Sequence, residues 1–241
     1  MSESENLRFQ GTARMSILTA PAAPTTPAFP MNPRKTLGEL LHELGDIPPH
    51  RVRLHPYPGT ATEADAVHAT NTQRPCELIN GTLVEKVMGV PESFLASLML
   101  QFVGPFVRLN KLGITTAPDG MYKMIHGNIR EPDVSFTAKA RRRNSGGQVG
   151  NWCPDLCVEI VSPSNSKAEL ELKREEYFSS GCRLVWIVDH RIRTVEVFAN
   201  ATSGVCLREP ATLDGGAVLP GFTLPLVELF SAFDEGMQSL A

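Results

Sequence analysis

Residues 153–189 read "CPDLCVEIVSPSNSKAELELKREEYFSSGCRLVWIVD", and the fold turns on this stretch. "DLCVEIVS" is short, apolar and rich in β-branched residues, as a buried strand is. "SKAELELKREEYFSSG" has helical composition and stops at Gly181, and "RLVWIVD" is a second apolar strand. Strand, helix and strand in that order predict an α/β protein with helices against a sheet. Side chains alternate along a strand, so Leu156, Val158 and Ile160 share one face, and Cys157, Glu159 and Val161 the other. Glu159 therefore falls in the middle of an apolar surface. An ionised carboxylate is rarely buried without a partner.

A candidate partner stands upstream in "REPDVSFT", where Asp133 points with Ser135 and away from Val134 and Phe136. Pro132 and Pro154 introduce the two strands. If these strands are neighbours, Asp133 and Glu159 face each other across the sheet. Two adjacent carboxylates repel, so one takes a proton or a cation sits between them. Hard oxygen ligands of this kind suit Mg2+ or Mn2+. Lys173, fourteen residues after Glu159 on the following helix, could hold an attacking water or neutralise phosphate charge. The plainer readings are a satisfied structural acid at Glu159, a strand-edge Asp133 and a solvated Lys173; spacing alone leaves both sets open.

The rest of the chain supplies a setting. Pro21, Pro24, Pro27, Pro30 and Pro33 recur every third residue among Ala and Thr, so residues 1–35 read as a disordered Pro/Ala-rich tail with extended character. Residues 36–72 form a helical extension. Its first helix is capped by Thr36, carries Leu37, Leu40, Leu41 and Leu44, and ends at Gly45 with Pro48 and Pro49 beyond; a weak helical patch follows at "EADAVHAT". The main domain spans 73–241. It opens with "CELINGTLVEKVMG", two alternating runs meeting at Asn80-Gly81, a strong hairpin signal. A long helix follows, with Phe94, Leu95, Leu98, Phe102 and Val103 as its stripe and a bend at Gly104-Pro105. Short strands are expected at 114–116 and 121–125, then from 132. After the polar loop "KARRRNSGGQVGN" come the opening stretch, a strand at "TVEVFA", and "LDGGAVLPGFTLPLVELF" as a closing strand with a terminal helical turn. The sheet is expected to be mixed, flanked by helices.

Of the 241 residues, 42% are apolar and 20% charged, with a net charge of -3. This is ordinary globular composition and argues against a generally basic nucleic-acid coat protein, though not against a local basic groove. The odd count of five cysteines shows no paired framework and favours a reducing compartment. Cys153 and Cys157 are four apart, unlike a CxxC pair, and no second pair stands at zinc spacing. No run reaches the ~18 apolar residues of a membrane span, and no signal peptide is visible; a cytoplasmic protein without membrane attachment is expected.

"EPDVSF", "PDLCVEIVSPSNS", "LKREEYFSSGCRLVWIVD" and "TVEVF", together with the hairpin and the C-terminal segment, resemble the Uma2 family (DUF820) of the PD-(D/E)xK nuclease superfamily, over roughly residues 36–235 in the same order. The resemblance implies a restriction endonuclease-like core with an N-terminal extension, and a Mg2+- or Mn2+-dependent endonuclease acting on DNA. It implies Asp133 and Glu159 as metal-binding acids and Lys173 as the catalytic lysine, because Val161 occupies the position two after the second acid where the superfamily lysine stands. Glu77 and Glu85 match hairpin acids of the family, and one of them would complete the metal site. Two departures concern the outer site: "PESF" has Glu92 and Ser93 where many relatives carry a histidine, and Glu169 replaces an aspartate. The basic run Lys139, Arg141, Arg142 and Arg143 is a candidate for phosphate contacts. Superfamily members often act as dimers, so a homodimer is carried as an expectation. The alternative is an inactive nuclease fold that binds nucleic acid or a protein partner.

Overall fold

Thr36 opens the first helix with a reciprocal cap. Its hydroxyl accepts the Glu39 N–H while the Glu39 carboxylate accepts the Thr36 N–H. The computed structural model describes residues 35–72, 74–142 and 147–238; apart from Lys35, the tail read at 1–35 lies outside them. The capped helix is α1 (Leu37–Glu43), followed by α2 (Glu63–Asn71), which is the weak helical patch of the sequence. Strands β1 (Cys76–Ile79) and β2 (Thr82–Glu85) meet at Asn80 (φ 48°) and Gly81 (φ 72°). Positive φ at both central residues matches the turn to the twist of its strands. The long helix α3 (Val90–Leu109) follows and runs through Pro105. Then come β3 (Gly113–Thr116), β4 (Tyr122–Lys123), β5 (Ile129–Arg130), β6 (Val134–Ala138) and β7 (Leu156–Ile160). Helix α4 (Lys167–Ser179) leads to β8 (Leu184–Asp189), β9 (Thr194–Phe198), β10 (Gly204–Arg208), β11 (Thr212–Asp214), β12 (Thr223–Pro225) and α5 (Leu226–Gln238).

Six strands form a mixed sheet in the order β10-β9-β8-β7-β6-β3, in which only β7 and β8 run parallel, joined through α4. A second, antiparallel sheet has the order β2-β1-β5-β4. The alternation read from the sequence divides β7 cleanly. Leu156, Val158 and Ile160 enter the main core with Leu95, Met99, Val103, Phe230 and Phe233 of α3 and α5. Cys157 faces the other way, into a smaller cluster with Tyr177 of α4.

Three expectations need correcting. The C-terminal segment ends in a 13-residue helix rather than a single turn, with Leu226, Leu229, Phe230 and Phe233 as its buried stripe. An edge strand, β10, pairs along the whole of β9 where no strand was read. Helix α3, with a mean hydropathy of 1.3, does reach the length and apolar content of a membrane span. Here its buried face lies in the core between the sheet and α5.

Arg51 locks the N-terminal extension to the rest. Its buried guanidinium forks onto Glu169 of α4 (2.8 and 2.8 Å) and also donates to the main-chain carbonyls of Glu85 and Ser164. Burial would raise the Glu169 pKa, but the Arg51 hydrogen bonds and Lys173 hold it below the ordinary value. Removing one partner of a buried pair strands the other charge, so Arg51→Ala should cost about 3–5 kcal/mol. Urea unfolding should show this as a lower midpoint with an unchanged slope; an unshifted midpoint would mean the fork contributes nothing.

Candidate active site

The β6–β7 register fixes the centre of the site. Val134 pairs with Val158, which sets the preceding residue, Asp133, opposite Glu159. The Asp133 N–H donates to the Val158 carbonyl at 2.9 Å, and its Oδ2 accepts the Ile160 N–H at 2.7 Å. One carboxylate oxygen is thereby spent on the neighbouring strand and the other, Oδ1, is left over. Oδ1 is buried and has no hydrogen bond of proper geometry, although the Lys86 ammonium lies 2.8 Å away. That contact is a charge attraction poorly aligned as a hydrogen bond.

Glu159 is held from α4. Lys173 and Tyr177 stand one helical turn apart on the same face; the ammonium donates to Glu159 Oε2 at 3.0 Å and the phenol to Oε1. Lys173 lies equally close, 3.0 Å, to Glu77 Oε1 on β1. Glu77 in turn takes Arg130 at 2.9 Å, and Arg130 also binds Glu176 of α4. Burial raises the Glu159 pKa, and the Asp133 and Glu77 charges add to this against Lys173 and Lys86. Burial acts on Glu77 in the same sense, but Lys173, Arg130 and Lys86 outweigh it and hold Glu77 well below the usual carboxylate range. Lys173 is opposite: desolvation would lower it, yet Glu159, Glu77 and Glu169 hold it charged, well above its usual value.

A cavity of about 20 Å³ opens onto this centre, lined among others by Asp133, Glu159, Lys173, Lys86, Glu92 and Arg51. That is room for about one water-sized occupant. Asp133, Glu159 and Lys173 are thus brought together as the sequence suggested. The hairpin acids are placed elsewhere. Glu77 is buried behind Lys173, while Glu85 forms an ion pair with Arg53 at 2.6 Å. The third carboxylate on the cavity is Glu92, in the first turn of α3.

Lys86 and Tyr177 were missed as site residues. Lys86 follows the end of β2, so its inward direction could have been read from the period-two pattern. Tyr177 lies at i+4 from Lys173 on one helix face, a spacing that predicts a shared neighbour. The basic run does not join the cleft: Lys139 and Arg142 are exposed past the far end of β6 from Asp133, roughly 20 Å along the strand. Arg141 binds the buried Asp155 at 3.0 Å, and Arg143 lies outside the described residues.

The donor set fits a hard divalent cation. It offers a buried carboxylate oxygen lacking a hydrogen bond, a second carboxylate opposite and a third on the same small cavity, and an ammonium already rests against the free oxygen. Burial with too few donors is also the state of Glu131, whose Oε2 is unpaired. Burial, with the nearby Glu77 carboxylate adding, pushes its pKa up to about 7 against the pull of Lys86. The unfolded value is about 4.3, so between these two pH values the native state binds more protons. Metal-free stability should therefore fall as pH rises from about 4.5 to 7, by on the order of 3 kcal/mol. Urea unfolding in EDTA should show that fall, and Glu131→Gln should flatten it; an equally steep profile in the variant would assign the effect to another group.

Comparison with known proteins adds a family and a fold. A family model described as "Uma2: Putative restriction endonuclease" matches residues 63–227. Among solved structures the chain is similar to "a putative nuclease belonging to DUF820 from Anabaena variabilis ATCC 29413", with a TM-score of 0.61, 20% identity, and coverage of 67% of this chain and 92% of that chain. At that identity the likeness establishes the shared fold. No curated protein matches this chain.

Proposed function

The chain belongs to the Uma2 family, and on that premise we propose that it is a Mg2+- or Mn2+-dependent endonuclease that hydrolyses DNA phosphodiester bonds at the Asp133–Glu159–Lys173 cleft. The observation that carries this reading is the buried Asp133 Oδ1, free of hydrogen bonds and on the same small cavity as Glu159. Asp133 and Glu159 would hold the metal, with Glu92 within the same cavity. The bound ion would neutralise phosphate charge and make a water more acidic.

The chain's own groups prepare the rest. The Ile160 N–H fixes Asp133 through Oδ2, so that the other oxygen is the one presented. Lys173 and Tyr177 fix both oxygens of Glu159 and prevent it from rotating away. Lys173 and Lys86 both line the cavity, where fixed positive charge would stabilise a phosphate as its negative charge grows. The purified chain should cut DNA when Mg2+ or Mn2+ is supplied and stop when EDTA is added. A preparation that cuts equally well in EDTA would contradict the reading.

A second reading has one observation in its favour: Lys86 and Lys173 already neutralise the acids from within the chain. An inactive nuclease fold that binds nucleic acid or a protein partner would need nothing more. Calorimetry separates the two. Mn2+ binding that disappears with Asp133 supports the nuclease, whereas salt-sensitive DNA binding with no heat from millimolar Mn2+ supports the binding module.

A further inference from the structure

Three cysteines converge on the α4 side of the main sheet, the side that Glu159 also faces, one alternation step back along β7. Cys153 comes from the loop before β7, Cys157 from β7 itself, and Cys182 from the connection between α4 and β8. All three are buried, none is in a disulfide, and their Sγ atoms lie within 4.8 Å of one another. Cys157 and Cys182 are 3.8 Å apart. Two sulfurs bound to one tetrahedral zinc with bonds of about 2.3 Å are separated by about 3.8 Å.

We propose that Cys153, Cys157 and Cys182 form a soft-metal site that binds one thiophilic d10 ion of the Zn2+ type through three sulfurs. Zinc spacing in sequence misses it because the third thiol arrives a whole helix after the first two. Access exists. Cys153 borders a cavity of about 410 Å³ whose wall also includes Lys123, Arg141, Trp152 and Ser180. This supplies an entry path and space for a fourth, exogenous ligand, the arrangement of a three-ligand site. On binding, each S–H gives its proton to solvent and its sulfur lone pair to the ion: M2+ and three thiols become one tris-thiolate complex of charge -1 and three protons. Metal binding releases these protons, so affinity rises with pH. Buried thiols joined by weak S–H hydrogen bonds, Cys182 to the Cys157 sulfur and Cys153 to the Tyr177 carbonyl, would be the plainer reading; it makes no use of the opening at Cys153 or of the convergence of all three sulfurs.

The test uses the reduced, chelator-stripped full chain titrated with Cd2+, whose thiolate charge-transfer absorption in the ultraviolet is not produced by carboxylates. The band should saturate at one equivalent in the wild type, and equally in Cys206→Ser and Asp133→Asn. It should vanish in Cys157→Ala and Cys182→Ala, with circular dichroism confirming the fold. Should those variants unfold, Cys153→Ser at the cavity wall decides, and it should weaken Cd2+ binding by more than about 100-fold, beyond what outer contacts alone account for. A wild type without the stoichiometric band, or a band of full strength and affinity in Cys153→Ser, overturns the proposal.

Discussion

Asp133→Asn is expected to lower Mg2+-supported DNA cleavage by about 10³-fold while the protein stays folded. Asparagine keeps an oxygen for the Ile160 N–H, so the strand junction survives, and it removes only the charge beside the cavity. Lys86 keeps its main-chain acceptors, Glu131 O and Pro118 O, and so is not stranded. A metal that stabilises the reacting phosphate by several kcal/mol, about 4, corresponds to about three decades of rate. Mn2+ affinity measured by calorimetry should fall with the rate, and the thermal midpoint should move little. Cleavage at the wild-type rate in this variant would remove Asp133 from the metal site.

The second large effect is on stability. Lys173 is a buried cation within 3.0 Å of two buried carboxylates. Lys173→Met keeps much of the side-chain volume but leaves Glu77 and Glu159 without their common counter-charge. A stranded buried charge costs about 3–5 kcal/mol, which a denaturant midpoint reads directly. Part of that loss should return in the double variant Lys173→Met/Glu77→Gln, since one of the repelling charges is then gone. Groups in such direct contact commonly couple by about 0.5–3 kcal/mol. Cleavage should be lost in both variants, which separates the work of Lys173 in the reaction from its work in folding. Additive stability losses would show that Glu77 and Lys173 do not share one network.

The centre of this site was legible because it depends on short-range rules. Strand alternation placed Glu159 with Cys157 and against Leu156, and the same rule placed Asp133. Their pairing then needed only that β6 and β7 be neighbours, which the register confirms. What surrounds the centre was not legible in that way. Glu92 reaches the cavity because α3 packs its first turn beside β6 and β7, a decision of tertiary packing that no local pattern encodes. Glu85 looked equivalent to Glu77 but is claimed by Arg53, a residue 32 positions upstream. The stripe Leu226, Leu229, Phe230 and Phe233 was present in the sequence, yet Pro220, Gly221 and Pro225 just before it suggested a loop. Strand β10 is a mostly exposed edge, so it lacks the apolar signature that marks its neighbours.

Tyr177 touches both the acid centre and the cysteine cluster. Its phenol holds Glu159, while its main-chain carbonyl receives the Cys182 N–H at 2.9 Å and the Cys153 thiol at 3.7 Å. Between these ends lies a flat aromatic ring with two side-chain torsions, buried on every side. Such a link behaves as a rigid strut rather than a tether. A shift of the last turn of α4 would therefore move its contacts with the acid and with the thiols together.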